Sequence, residues 1–173
     1  MGAVGRDVFR RLRETGPVGL VPLAWAFAAA AHRGVLAPRA VLIAHLVMAG
    51  IIAAFTVLSW REMTDGVLLA WRRVLVAGFG VTLLGITGLL VRAPPMLTAT
   101  VVGWTLVPAA GLAYTGRLVD RRPRAYTAGA GLCVVGVGLY LAGLANAAPT
   151  TLAGLAVTGI GQTAGIVAAV VDY

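Results

Sequence analysis

The sequence predicts an all-α polytopic membrane protein: six transmembrane helices arranged as three tandem helical hairpins, with both termini on the cytoplasmic side. Three observations carry this. The chain of 173 residues is 60% hydrophobic and only 12% charged, with a mean hydropathy of +0.92, too little polar material to cover a water-soluble domain of this size. The charges cluster, leaving residues 15–32, 40–60, 74–91, 93–116 and 125–171 free of Asp, Glu, Lys and Arg. An Ala-Pro pair recurs at Ala37-Pro38, Ala93-Pro94 and Ala148-Pro149, each time in a short break between two apolar runs.

A helix needs about 20 apolar residues to cross the hydrocarbon core, so the last charge-free stretch holds two spans, with Asn146, Pro149, Thr150 and Thr151 supplying the turn between them. The predicted helices are approximately 15–32, 40–60, 74–91, 95–116, 125–145 and 151–171, in one transmembrane domain preceded by a basic segment, 1–14. The runs are continuously apolar rather than alternating, which favours helices over barrel strands. Trp60, Met63, Val67 and Trp71 share one face at helical spacing and predict an interfacial helix over 60–72. Val8, Phe9 and Leu12, opposed by Arg6, Arg10 and Arg13, predict a second. Arginines, an apolar core and an alanine run near the N-terminus also read as a signal peptide; retention of helix 1 is expected, because its removal would break the hairpin count.

Charge placement sets the orientation. With the N-terminus inside, eleven arginines fall on the inner side and three, Arg33, Arg39 and Arg92, on the outer side. This positive-inside asymmetry places both termini in the cytoplasm. It also accounts for the formal charge of +8 without a nucleic-acid partner, since no basic stripe interleaved with aromatics is present. The expected partner is the bilayer itself, with an anionic inner leaflet meeting Arg10, Arg11, Arg13, Arg72, Arg73, Arg121, Arg122 and Arg124. All 14 basic residues are arginine, a usage that fits codon bias in a GC-rich prokaryote, so the expected location is a prokaryotic plasma membrane.

Repetition is visible at the hairpin period. Arg73, Ala77, Gly78, Gly80 and Gly85 match Arg124, Ala128, Gly129, Gly131 and Gly136 at a constant offset of 51. A rival arrangement of two inverted three-helix halves rests on Leu20-Val21-Pro22 recurring as Leu106-Val107-Pro108. Small residues spaced for close helix packing occur at Gly161/Gly165, Ala49/Ala53, Gly111/Thr115 and Gly138/Ala142. They read as packing within the chain, with a homo-oligomer face or a backbone-lined ion path as the alternatives.

Few residues can carry chemistry. His45 lies about five residues inside helix 2 and is the most notable intramembrane titratable group; as a haem or metal ligand it would need His32 or others to converge on it. Thr158, Gln162 and Thr163 form a polar cluster in helix 6, read as an interhelical hydrogen bond or as the wall of a narrow polar pathway. Pro22 and Pro108 sit near mid-depth of their helices, where each frees a carbonyl, and such kinks can mark a transport site. Cys133 is the only thiol, which excludes a disulfide or a zinc framework. No acidic residue lies within a span, which argues against a carboxylate relay or paired-carboxylate catalysis. Ser59, the only serine, has no histidine on its side of the membrane. No enzymatic motif is present, and no cofactor is expected.

Glycine-rich ascending helices and proline-bearing outer turns, carried by Gly78, Gly80, Gly85, Pro94, Pro95 and Gly103 and again by Gly129, Gly131, Gly136, Pro149 and Gly159, resemble the HdeD-type short-repeat membrane proteins over about residues 73–171. Helix 1 lacks the spaced glycines. The resemblance implies a non-enzymatic inner-membrane protein linked to acid or envelope stress, with no catalytic residues to assign. The competing expectations are a small-solute or ion channel lined near Pro108 and Gln162, and an electron-transfer subunit ligating haem through His45.

Overall fold

The computed structural model describes residues 3–146 and 148–172, with side chains from Val18 to Ala145 and from Ala148 to Val171. Among the described residues there are six helices and no strand: α1 (Ala3–His32), α2 (Pro38–Ser59), α3 (Gly66–Leu90), α4 (Pro94–Leu118), α5 (Pro123–Asn146) and α6 (Ala148–Asp172). Helices α2 to α6 are each long and apolar enough to cross a membrane, and α1 contributes a shorter apolar stretch, Val18–His32. The chain is a polytopic helical membrane protein. Its outer surface is apolar, as lipid requires: Val57 and Leu58 are 73% and 70% exposed, and Leu23, Leu90 and Ile160 also face outward.

The breaks obey local backbone chemistry. At the ends of α1 and α3 the chain turns through a left-handed residue, Gly34 (φ 69°) and Arg92 (φ 55°). The next amide reaches back to the helix, Val35 N–H to the Ala30 carbonyl at 3.1 Å and Ala93 N–H to the Gly88 carbonyl at 2.9 Å, as in a Schellman cap. Ala37 and Ala93 are then extended, as residues before proline prefer, and Pro38 and Pro94 start α2 and α4 where a missing N–H costs nothing. The third Ala-Pro pair behaves differently. Pro149 to Thr151 lie within α6, whose described residues begin at Ala148, rather than in a turn.

Two predicted boundaries are corrected. The interfacial helix over 60–72 does not form: α2 ends at Ser59, the chain turns, and α3 starts from an extended Asp65 (φ −144°) at Gly66 (φ 50°). Trp71, Arg72 and Arg73 therefore lie in α3 itself, whose 25 residues rise about 37 Å, more than the hydrocarbon core of about 30 Å. Likewise α1 is one continuous helix from Ala3, with no separate N-terminal element. The side chains of Arg10, Arg11 and Arg13 lie outside the described residues.

Neighbouring helices pack in the order α2, α3, α4, α5, α6, α1, and α4 also touches α6. The most extensive interface is α5 with α6. Gly129, Gly136 and Gly143, seven residues apart on α5, meet the Gly161 carbonyl, Thr158 with the Gly154 carbonyl, and Thr151. Gly154 in turn lies against the backbone of Tyr140. Without water to drive helices together, backbones that approach this closely supply the attraction through dispersion, and the seven-residue spacing keeps one stripe facing the partner over several turns. Gly161 and Gly165 are both in contact, the latter with Leu112 of α4, whereas a Cβ at Gly138 would meet nothing within 4 Å, so Gly138 is not a close-packing glycine. The first helix pair differs from the others: α1 leaves α2 and packs on α6, with Trp25, Tyr140 and Leu155 forming one core. A second core joins Leu112, Tyr126, Ala130 and Ala168.

Candidate functional site

The polar groups inside the bundle converge on Gln162. Proline at 108 has no N–H, so the carbonyl four residues earlier, on Trp104, loses its helical donor. Gln162 Nε2 donates to that carbonyl at 2.8 Å, with a longer approach to the Thr105 carbonyl at 3.5 Å. Its Oε1 accepts from the Trp25 indole Nε1 at 2.9 Å. Cys133 of α5, fully buried, adjoins the same side chain. One glutamine, 5% exposed, thus ties α1 and α4 to α6 beside α5, and both ends of its amide are used.

A second set of bonds locks α3 to α4 with the same three residue types on each helix. The Trp104 indole donates to Thr82 Oγ1 at 3.2 Å, Thr82 donates to the Gly78 carbonyl at 2.8 Å, and the Trp104 ring lies against Gly78. Reciprocally, the Trp71 indole donates to Thr115 Oγ1 at 3.1 Å, Thr115 donates to the Gly111 carbonyl at 2.8 Å, and Trp71 lies near Gly111. The spacing Trp-x6-Gly-x3-Thr occurs at 71–82 and again at 104–115. Each glycine makes room for the partner's indole, and each threonine satisfies its N–H, which a buried indole requires. The Gly111/Thr115 pair read from the sequence is half of this lock.

Near the Ala-Pro ends, His32 Nδ1 lies 2.9 Å from the Ala28 carbonyl, which can only accept, so Nδ1 carries the proton in the neutral ring. Its Nε2 then accepts from the Tyr140 hydroxyl at 3.1 Å, and the two rings meet edge to face at 5.5 Å. Thr98 of α4 adjoins that hydroxyl. His45 belongs to a different contact. Its Nδ1 donates to the Val41 carbonyl at 2.9 Å, while Nε2 faces the backbone of Gly85 beside the Thr100 methyl; a single added carbon at Gly85 would stand 2.9 Å from it. The two histidines therefore do not converge, and His45 Nε2 lies against Gly85 of α3.

The remaining candidates separate. Thr158 is buried against Gly136 of α5, on a different contact from Gln162. The Thr163 hydroxyl is buried with no hydrogen-bond partner. Pro22 is exposed whereas Pro108 is buried, so the two kinks do not face a common space. Trp25, Trp104 and Thr82, which complete the junction, were missed in sequence; the signal was Pro108 itself, because a freed buried carbonyl demands a donor.

On the arginine-rich side, the end of α2 meets the start of α3. Arg72 donates Nη1 to the Trp60 carbonyl at 3.3 Å and holds its guanidinium 4.4 Å from the centre of the Trp60 ring, so it caps the open carbonyl end of α2 and gains a cation–π contact. Two hollows flank Trp60. One, about 580 Å³, is lined by Val57, Leu58, Trp60, Arg61 and Glu62; the other, about 360 Å³, by Trp60, Arg72, Arg73, Val76 and Ala77. Arg121, Arg122 and Arg124 lie in and after the turn between α4 and α5, with Arg122 in a left-handed conformation (φ 49°). Comparison with known protein families, curated proteins and solved structures gives no match to this chain.

Proposed function

We propose that the chain is a non-enzymatic integral protein of a prokaryotic plasma membrane, with both termini in the cytoplasm, whose role is structural within the envelope rather than transport. The observation that carries this reading is the closure at Pro108: the Trp104 carbonyl that a polar pathway would use accepts from the Gln162 amide nitrogen, and the amide oxygen of Gln162 accepts from the Trp25 indole. Threonine hydroxyls elsewhere in the bundle are turned back onto their own helices, at Thr82, Thr100, Thr105 and Thr115, instead of lining a common space. The bond from Trp25 also supports retention of α1. The arginine asymmetry supports the orientation, and the likeness to HdeD-type proteins supports an envelope or acid-stress role. The test is a liposome flux assay for small ions and solutes, run on the native chain and on Gln162→Leu. The reading expects no flux above protein-free vesicles for either; robust flux that the substitution alters would replace it with a channel. An absorption spectrum of the purified protein addresses electron transfer, and a Soret band lost in His45→Ala would overturn the non-redox assignment.

A further inference from the structure

We infer that the hollow between Trp60 and the first turns of α3 binds one anionic glycerophospholipid, its phosphate at Arg72 and Arg73 and an acyl chain over Val76 and Ala77. The inference rests on the reading of this chain as bilayer-embedded and adds a defined ligand site to it. The lining residues are graded along α3, with Arg72 and Arg73 one turn before Val76 and Ala77 and Trp60 beside them, so an apolar surface follows two basic residues. Val76 and Ala77 lie four residues further along α3 than Arg72 and Arg73, about 6 Å on, the direction in which a chain leaves its headgroup. A volume of about 360 Å³ is room for about a dozen waters, enough for a phosphate, its glycerol and the first methylenes.

Two features make this hollow the anion site rather than the larger one on the other side of Trp60. Among the described residues the larger hollow carries Glu62 beside Arg61, so their formal charges cancel, whereas the lining of the smaller one holds Arg72 and Arg73 and no acid. Arg72 is also held in place before any ligand arrives, by the Trp60 ring and carbonyl. That contact uses one of five guanidinium N–H donors, and a planar fork engages a phosphate in bidentate fashion with two. Ordering an arginine in advance removes the side-chain entropy that binding would otherwise cost.

The experiment uses the full chain in vesicles of phosphatidylcholine with and without phosphatidylglycerol in both leaflets, with lipid retention read by native mass spectrometry. The expected result is preferential retention of phosphatidylglycerol, weakened roughly fivefold in Arg73→Gln with phosphatidylcholine retention and thermal midpoint unchanged. Arg72→Gln should lose at least as much, and because it also uncaps α2, the exposed Arg73 provides the decisive variant. Equal retention of the two lipids, or a preference unmoved by Arg73→Gln, overturns the site. Displacement by soluble glycerol phosphate at matched concentration overturns the lipid source, since it would show that the phosphate binds without an acyl chain. Symmetric vesicles make the result independent of orientation. Reporter fusions at the two termini test the topology separately, so either assignment can fail alone.

Discussion

Replacing Gln162 by leucine should cost stability in a way that depends on residue 108. The substitution removes two interhelical hydrogen bonds, to Trp25 at 2.9 Å and to the Trp104 carbonyl at 2.8 Å. At about 0.6 kcal/mol for an average bond of this kind in a membrane, the loss is about 1.2 kcal/mol. Half of that exists because Pro108 denies Trp104 its helical donor. In a Pro108→Ala background the new N–H at 108 can serve the Trp104 carbonyl, so Gln162→Leu should cost only the Trp25 share, about 0.6 kcal/mol. The double-mutant cycle should therefore show a coupling of about 0.6 kcal/mol. The assay is reversible unfolding in mixed micelles titrated with a denaturing detergent, with helicity as the signal. A cycle that closes at zero would refute the claim that Gln162 serves the carbonyl Pro108 frees, and a larger cost in the Pro108→Ala background would reverse it.

Three further outcomes are expected in the same assay. Gly154→Ala should destabilise by about 2 kcal/mol, because its Cβ would enter the backbone of Tyr140, while Gly131→Ala, with nothing nearby, should shift stability by less than about 0.5 kcal/mol; equal effects would refute backbone contact between α5 and α6. Thr82→Val and Thr115→Val should cost about 0.6 kcal/mol each and add, since the two locks are eleven residues apart along each helix, about 16 Å; a strongly non-additive double variant would show that they are one network. Arg92→Gly should stabilise by about 0.5 kcal/mol, the relief of a left-handed non-glycine residue less the added freedom of the unfolded chain, whereas Gly34→Ala should destabilise by about 1 kcal/mol; the same sign for both would contradict the shared cap geometry.

Helix number and order were legible because lipid imposes a length and an apolarity that composition records directly. The Ala-Pro pairs located two turns correctly, since proline restricts both itself and the residue before it. Charge displaced the starts of α1 and α3, which begin before their arginines: Arg72 and Arg73 do not stop α3, because arginine can lie within a helix while its head reaches the interface. Trp60 and Trp71 share an apolar face at helical spacing, yet periodicity cannot distinguish one helix from two helices meeting at a turn. The parting of α1 from α2 was illegible for another reason. A five-residue link permits contact without enforcing it, and Trp25 finds its hydrogen-bond acceptor 137 residues away.

The small residues show why equivalence in sequence is not equivalence in contact. Gly78 and Gly129 correspond at the offset of 51, and both face the next helix. Against Gly78 lies the Trp104 indole; against Gly129 lies the carbonyl of Gly161. A glycine that admits an indole leaves its two backbones separated by a ring, whereas a glycine that meets a glycine brings them together. The same residue thus makes α3–α4 a side-chain lock, held by two indole hydrogen bonds, and α5–α6 a backbone-to-backbone contact, held by dispersion. What decides between them is the partner, and the partner motif was in view: Trp71, Gly78 and Thr82 recur as Trp104, Gly111 and Thr115 at an offset of 33. That offset relates consecutive antiparallel helices whose motifs grip each other reciprocally, the tryptophan of each on the glycine and threonine of the other, while the offset of 51 relates matching positions of successive pairs.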